Sequence, residues 1–158
     1  MSTRSIIAIE QEDKKIKSVY CHYDGYLEGV GTILQNNYSD YEQINKLLKC
    51  SMSSLGTTPE QTRYYNENNE HDKPVIYNNE YCFMNDLKAD IFIEYIYLFK
   101  NGSWFCSKME SLNIVHRKNI YEDFIVFHTK FIKIGDLLIL ENGLGEVLDL
   151  NLTQEINC

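Results

Sequence analysis

The stretch Tyr20-Cys21-His22-Tyr23-Asp24-Gly25-Tyr26 lies where the predicted structure changes from a strand to a helix. Before it, Ile16 to Cys21 has the composition of a strand, and after it, Leu27 to Tyr38 carries apolar side chains at helical spacing. The seven residues bring together an imidazole, a carboxylate, a thiol and three phenol rings beside one glycine. Because so many polar-tipped side chains are unusual in a plain turn, we take this corner as the centre of the fold and as the candidate site.

A β-hairpin is predicted upstream of the corner. Arg4 to Glu10 and Ile16 to His22 are short runs rich in β-branched residues, and the polar segment Gln11 to Lys15 joins them. The hairpin closes in a simple register if Glu10 lies opposite Ile16.

This register would place three candidate residues on one face of the sheet. Ile6 would lie opposite Tyr20, and Arg4 would lie opposite His22. Since side chains alternate between the two faces of a strand, Arg4, Tyr20 and His22 would then point the same way. A slip of one residue would separate them.

Two helices are predicted downstream of the corner. The first ends near Asn36-Asn37, and either Ser39 or Asp40 can cap the second. The second helix is predicted to end near Cys50, and Ser51 to Gly56 is predicted to be a turn.

The segment from Thr57 to Asn79 is polar and poorly periodic, and we predict a long loop. Loops of this length in small domains are usually functional or disordered. The tyrosines in this one favour function, because disordered segments contain few aromatic residues.

A second hairpin is predicted around Asn101-Gly102, a strong signal for a two-residue turn. Ile91 to Lys100 forms its first strand and Ser103 to Lys108 its second. The alternation places one set of side chains on a single face of the first strand: Ile91, Ile93, Tyr95, Tyr97 and Phe99.

Together these elements predict an α+β fold. Its sheet is expected to be antiparallel, built from two or more hairpins, with two helices packed on one face. We divide the chain into a core domain, residues 1–108, and a C-terminal extension, residues 109–158, packed on the core. The extension is predicted to hold a helix from Tyr121 to Lys130 and a hairpin formed by Asp136 to Glu141 and Gly145 to Leu150.

The composition is that of a globular protein, with 44% hydrophobic and 24% charged residues. A net charge of −8 argues against a general duplex-DNA binder, because such proteins use Lys and Arg to release counterions from phosphates. The acidic surplus either keeps the protein soluble or presents an acidic face to a basic partner. We find no signal peptide and no apolar run near the roughly 18 residues that span a membrane. The five cysteines lack a Cys-x-x-Cys pair and are odd in number, which favours reduced thiols.

The corner has the parts of a small-nucleotide site. A helix N-terminus presents free N–H groups to a phosphate, and glycines permit close backbone approach. An arginine can add a bidentate phosphate contact, tyrosines can stack on a base, and the histidine and aspartate would hold phosphate or ribose. The predicted ligand-binding residues are Arg4, Tyr20, His22, Tyr23, Asp24, Gly25, Tyr26 and Gly29.

Other roles for the corner stay open. A catalytic pair of His22 and Asp24 would need a nucleophile, and the neighbouring Cys21 is expected to face the other side of the strand. Alternatively, Asp24 caps the helix and His22 satisfies a backbone group. We therefore predict no catalytic residue and no cofactor, with a phosphodiesterase-like activity as the enzymatic alternative.

A metal site is a further alternative on the polar loop. His71 lies close in sequence to Glu67, Glu70 and Asp72, which are possible ligands. Solvation is the expected state of such a charged loop, so no metal is predicted.

Parts of the sequence resemble a family of small phage and prophage proteins. The resemblance rests on Ser2-Thr3-Arg4-Ser5, the seven-residue corner, Ser53-Ser54-Leu55-Gly56 and Asn101-Gly102-Ser103-Trp104, and it covers residues 2–107. Family members carry Trp at the fourth position of the corner, where this chain has Tyr. The resemblance implies a phage-borne accessory protein that acts in the host bacterial cytoplasm.

Analogy with other small accessory phage proteins implies an anti-defence role. The leading hypothesis is a sponge that binds a nucleotide immune signal, ADP-ribose-derived or cyclic, without cleaving it. We expect a homo-oligomer, since subunit boundaries can enclose a small ligand. The alternative is an acidic protein–protein inhibitor of a host defence protein, of the anti-CRISPR type. Neither hypothesis involves duplex DNA or a membrane.

Overall fold

A computed structural model describes residues 2–87, 90, 92–108 and 132–134. The strands in these ranges are β1 (Ser5–Glu10), β2 (Ile16–Cys21), β3 (Met52–Ser54), β4 (Arg63–Tyr64), β5 (Val75–Tyr77), β6 (Tyr95–Lys100), β7 (Ser103–Lys108) and β8 (Ile132–Lys133). The helices are α1 (Thr32–Asn37), α2 (Tyr41–Leu47) and α3 (Glu80–Leu87). A π turn (Leu27–Gly31) runs directly into α1, and short 3-10 turns occupy Pro59–Gln61 and Glu70–Asp72.

The strands form one sheet in the order β4-β3-β2-β1-β6-β7-β8, and β5 also pairs with β2. Most neighbours are antiparallel, but β1 with β6 and β2 with β3 are parallel. The α+β fold class is confirmed. The parallel pairs arise where strands distant in sequence meet, since only a tight hairpin forces its two strands to be antiparallel.

Both hairpin registers are confirmed. Glu10 lies opposite Ile16 and Ile6 opposite Tyr20. In the second hairpin the turn residues Asn101 and Gly102 have φ values of 51° and 76°, the left-handed geometry that a two-residue hairpin turn requires. Local signals were enough here because each turn fixes its own register.

The first face of the sheet is covered by the π turn, α1 and α2. On this face Ile7, Val19 and Tyr97 pack in one buried cluster with Leu34 of α1 and Ile44 of α2. Full burial of such side chains is worth about 1.5–3 kcal/mol each. Helix α2 begins at the predicted cap, where the Asp40 carboxylate accepts a hydrogen bond from the Gln43 amide at 3.1 Å.

The second face of the sheet is covered by α3, so the prediction of helices on only one face was wrong. Phe83 of α3 packs in a buried cluster with Ala8, Ile16, Ile96 and Leu98 from the strands. The apolar residues at 96 and 98 were the missed signal, because a strand that is apolar on both faces needs two covering layers.

Three boundary predictions also change. The turn predicted over Ser51 to Gly56 contains β3, and the loop predicted over Thr57 to Asn79 contains β4, β5 and both 3-10 turns. Strand β6 begins only at Tyr95, and Ile93 packs in the α3 cluster instead of joining Tyr97. Two-residue alternation holds only inside a regular strand, and Ile93 precedes it.

The thiols of Cys21 and Cys50 are free and buried, and the side chain of Cys106 is also buried. Cys82 is disulfide-bonded, so the expectation of reduced thiols was wrong for this residue. An odd cysteine count does not exclude a disulfide. No helix in the described ranges is long and apolar enough to cross a membrane.

Of the predicted C-terminal extension, residues 132–134 are described. Strand β8 pairs antiparallel with β7, with Ile132 opposite Cys106. Ile134 is fully buried in the cluster on the first face of the sheet, which contains Leu34 and Ile44. The helix predicted from Tyr121 to Lys130 and the hairpin predicted after Asp136 lie outside the described residues.

Candidate functional site

Three of the predicted site residues, Arg4, Tyr20 and His22, come together at one end of the sheet, where β1 begins and β2 ends. The Tyr20 hydroxyl and His22 Nδ1 are hydrogen-bonded at 2.7 Å. Burial raises the pKa of Tyr20, and the neighbouring Arg4 guanidinium partly opposes this by favouring the phenolate. Tyr20 and Ile6 both pack at the border of the α3 cluster, so this group lies on the α3 side of the sheet.

Exposed rings surround these three residues. The Tyr23 ring stands edge-on to the His22 ring with centroids 4.5 Å apart. Phe92 lies with its ring centroid 5.8 Å from the Arg4 guanidinium carbon, a cation–π contact. Tyr65 lies near Tyr20, because the Tyr20 amide donates to the Ser51 hydroxyl at 3.2 Å and the Tyr65 amide donates to the Ser51 carbonyl at 3.0 Å. We call the set the aromatic patch: Arg4, Tyr20, His22, Tyr23, Tyr65 and Phe92.

Three of these rings are open to solvent. Tyr23 is 50% exposed, Tyr65 is 40% exposed and Phe92 is 64% exposed. Isolated exposed aromatic residues are common on protein surfaces, but several grouped around a guanidinium are typical of binding sites. The patch therefore offers flat apolar surfaces, a cation and an imidazole in one place.

Backbone hydrogen bonds at and beyond the strand ends hold the patch together. The amides of His22 and Tyr23 donate to the carbonyls of Met52 and Ser53 at 3.1 and 2.9 Å, which extends the pairing beyond the end of β2. The Tyr65 amide donates to the Ser51 carbonyl at 3.0 Å. These bonds hold Tyr23 and Tyr65 on adjoining segments.

The same kind of bond fixes the other side of the patch. The Glu94 amide donates to the Arg4 carbonyl at 3.0 Å. This bond ties the start of β1 to the segment that carries Phe92. The patch thus lies at and beyond strand ends that backbone hydrogen bonds hold together, although its members are far apart in sequence.

The predicted glycine at position 25 has a packing role. Its amide donates to the Thr3 carbonyl at 2.8 Å, and its carbonyl accepts from the Tyr97 hydroxyl at 2.7 Å. A Cβ at Gly25 would come within 2.6 Å of the Thr3 carbonyl oxygen and 2.8 Å of the Ser5 Cβ. Both polar groups of the Gly25 backbone are therefore already used inside the protein.

Gly29 is used in the same way. Its amide donates to the Tyr26 carbonyl at 3.0 Å, and the Val30 amide donates to the Asp24 carbonyl at 2.8 Å. A Cβ at Gly29 would lie only 2.3 Å from that Asp24 oxygen. These two amides, which a phosphate at the helix start would need, are engaged with carbonyls of the corner itself.

Asp24 and Tyr26 form the turn between the patch and the helix. Asp24 has a left-handed φ of 58° and is exposed, and Tyr26 is 40% exposed, with its ring beside Gly29. The alternative in which Asp24 caps the helix is wrong: the cap position is Tyr26, which makes no side-chain capping bond. The alternative in which His22 satisfies a backbone group was also wrong, since its Nδ1 bonds the Tyr20 hydroxyl.

Cys21 lies on the face of the sheet opposite His22, in the buried cluster covered by α1 and α2, as the sequence predicted. Burial raises the pKa of its thiol to about 12, and Sγ donates to the Tyr23 carbonyl at 3.6 Å. A buried thiol held in its protonated form is a poor nucleophile.

Within the described residues, no group of three or more His, Cys, Asp and Glu side chains is arranged to hold a metal ion. Two of the possible metal ligands on the polar loop form ion pairs with lysines. Glu67 pairs with Lys49 at 2.7 Å, and Glu70 pairs with Lys73 at 2.6 Å. These ion pairs fit the solvated-loop interpretation of this segment.

A second surface lies between β5 and α3. It is a groove of about 430 Å³ lined by Val75, Ile76, Tyr77, Asn78, Cys82, Asn85 and Asp86. Val75 and Ile76 are about half exposed, at 51% and 52%. This groove contains none of the predicted site residues.

Tyr65 and Phe92 were missed by the sequence reasoning. Tyr64 and Tyr65 are adjacent, and the structure turns them to opposite sides: the Tyr64 hydroxyl donates to the Leu47 carbonyl at 2.6 Å, whereas Tyr65 is exposed. Strand alternation in this tyrosine pair was the available signal. For Phe92, which precedes β6, no local pattern indicated the site.

Comparison of the chain with family models, curated proteins and solved structures finds no match. We therefore infer a function from the geometry of the aromatic patch.

Proposed function

We propose that this chain binds a small nucleotide through the aromatic patch. The observation that carries the proposal is the grouping of the Arg4 guanidinium and the His22 imidazole with the exposed rings of Tyr23, Tyr65 and Phe92. Aromatic rings stack on bases whatever their sequence, and arginine recognises phosphate through charge-assisted hydrogen bonds.

The charge balance favours a ligand with few phosphates. The chain carries a net charge of −8, which repels polyanions such as duplex DNA. One guanidinium in the patch suits one or two phosphate groups. The ligand class that fits is a small nucleotide, and the biological role we propose is that of a phage-encoded sponge for a nucleotide immune signal in the bacterial cytoplasm.

A binding role without cleavage is supported by the buried Cys21. Its thiol, the strongest nucleophile near the corner, has a pKa raised to about 12 and faces the opposite side of the sheet. The hydroxyl of Tyr20 also has a raised pKa, because of burial, which disfavours attack by the phenolate.

The energetics favour several contacts acting together. Stacking contributes about 1–3 kcal/mol per base, and a charge-assisted hydrogen bond contributes about 1.5–3 kcal/mol. Association itself costs at least about 4 kcal/mol. One ring and one cation would bind only weakly, so we propose that the patch lies at a subunit boundary of a homo-oligomer, where a second copy encloses the ligand.

A sponge is tested by capture and release. The protein is incubated with ADP-ribose-derived and cyclic nucleotides, filtered to remove free ligand, and heated to release what it holds. Recovery of the intact nucleotide in stoichiometric amount supports the proposal. Recovery of a hydrolysed product would replace it with an enzymatic function, and recovery of no nucleotide would contradict it.

A protein partner is the second candidate, and β5 favours it. Among the described strands, β5 pairs with β2 alone, and it exposes Val75 and Ile76 beside the groove. Exposed strand edges with apolar side chains bind extended segments of other proteins by adding a strand. A stable complex with a bacterial defence protein that is lost in Ile76→Asp, but kept in Arg4→Ala, would favour this function over nucleotide capture.

A further inference from the structure

Arg4 lies between two sets of rings. The sheet order places β1 between β6 and β2. Phe92, which precedes β6, therefore lies on one side of Arg4, and Tyr20, His22 and Tyr23 lie on the other. Neighbouring strands are about 4.8 Å apart, so the two ring sets are separated by roughly two strand spacings.

The two sets differ in character. Phe92 has no polar tip, is 64% exposed, and contacts the Arg4 guanidinium at 5.8 Å. On the other side, the exposed Tyr23 ring packs edge-on against His22, and Tyr65 lies close by. A mononucleotide with its phosphate on Arg4 can place its base on one of these sets and leaves the other in water.

We propose, on the basis of the nucleotide-binding function above, that the ligand carries two flat rings joined through phosphate. Its phosphate contacts Arg4, one ring stacks on Phe92, and the other stacks on Tyr23 beside Tyr65. This is the chemistry of a dinucleotide, linear or cyclic. A second stacked ring adds about 1–3 kcal/mol, which supplies the affinity that one ring lacks.

The experiment compares one-ring and two-ring ligands by calorimetry. Adenosine monophosphate, linear diadenosine monophosphate and cyclic di-adenosine monophosphate are titrated into the full chain and into Phe92→Ala, Tyr23→Ala and the control Ile76→Ala. Because Phe92 and Ile76 are both largely exposed, their replacement is expected to leave the melting temperature unchanged, which verifies folding.

The expected result is at least about tenfold tighter binding of a two-ring ligand than of the monophosphate. Phe92→Ala is expected to remove that advantage, so that a two-ring ligand binds this variant no more tightly than the monophosphate does. Ile76→Ala is expected to change nothing. Tyr23→Ala is expected to weaken two-ring binding as Phe92→Ala does.

Two failures are distinguishable. Equal affinity for one-ring and two-ring ligands, or a two-ring advantage that survives Phe92→Ala, overturns this inference and leaves nucleotide binding standing. Absence of binding for all three ligands, and for the ADP-ribose-derived and cyclic nucleotides of the capture assay, overturns the proposed function and this inference together.

Discussion

The Tyr20 hydroxyl is hydrogen-bonded to Nδ1 of His22 at 2.7 Å, and this bond joins the buried part of the aromatic patch to its exposed part. Tyr20 borders the α3 core, whereas His22 contacts the exposed Tyr23 ring. The imidazole is therefore held by Tyr20 in an orientation that is nearly perpendicular to the Tyr23 ring, with an interplanar angle of 82°. A ligand that binds there meets a surface that is already ordered.

Removing this bond tests whether it orders the surface. Tyr20→Phe keeps the ring and is expected to lower the free energy of unfolding by about 0.5–1.5 kcal/mol. Because His22 is then free to rotate, nucleotide affinity is expected to fall as well. Denaturant unfolding measures the first effect, with Tyr26→Phe as a control in an exposed ring. Equal stability of the two variants would show that the bond contributes nothing.

The bond between Tyr97 and Gly25 ties the corner to the centre of the sheet. The Tyr97 hydroxyl donates to the Gly25 carbonyl at 2.7 Å in a buried environment, and burial raises the pKa of Tyr97. Tyr97→Phe leaves that carbonyl without its donor, which is expected to cost about 1–3 kcal/mol of stability. Thermal unfolding would measure the loss. A melting temperature equal to that of the parent protein would contradict the proposed link.

Gly29 is expected to be required for folding of the corner and not for ligand contact. In Gly29→Ala the new Cβ would lie 2.3 Å from the Asp24 oxygen, so the π turn must distort. We expect a loss of stability of about 1–3 kcal/mol from this overpacking. Calorimetry on the fraction that remains folded should give nearly the parent affinity. A large loss of affinity with unchanged stability would instead return Gly29 to the ligand site.

Cys21 is expected to be unreactive in the folded protein. Its pKa of about 12 leaves almost no thiolate near pH 8, and the side chain is fully buried. Iodoacetamide at about pH 8 should therefore modify Cys21 only after denaturant is added, as mass spectrometry of the labelled peptides would show. Labelling of native Cys21 at the rate of an exposed thiol would contradict its placement in the core.

The same thiol makes stability depend on pH at the alkaline end. The pKa is raised from 9.0 in the unfolded reference to about 12 in the fold, so the folded state keeps its proton longer. This contribution is complete below about pH 9 and is lost as pH rises from there toward 12. Chemical unfolding across that range should show a steeper decline for the parent protein than for Cys21→Ala. Parallel curves would contradict the assignment.

Local signals in the sequence were sufficient for the two hairpins and for the start of α2. Asn101-Gly102 adopts the left-handed turn that its residues favour, and Asp40 caps α2 as its side chain allows. Each of these features depends on residues only a few positions apart. The grouping of Arg4, Tyr20 and His22 followed from the first hairpin register, which is why part of the site was predictable.

The rest of the site depends on contacts between distant segments. Strands β3, β4 and β5 have two or three residues each, and they are held by pairing with β2 or with one another instead of by their own propensity. Tyr65 reaches the patch because its amide pairs with Ser51, and Phe92 because the segment before β6 pairs with Arg4. No periodicity within a short window contains this information.

We propose that Arg4 holds the phosphate of a nucleotide within the aromatic patch. The direct measurement is calorimetric affinity for the captured nucleotide in Arg4→Ala beside Arg63→Ala, which removes an exposed arginine from β4 outside the patch. Loss of a charge-assisted contact predicts about a tenfold or greater decrease for Arg4→Ala, with Arg63→Ala close to the parent protein. Equal affinities of the two variants would contradict the claim.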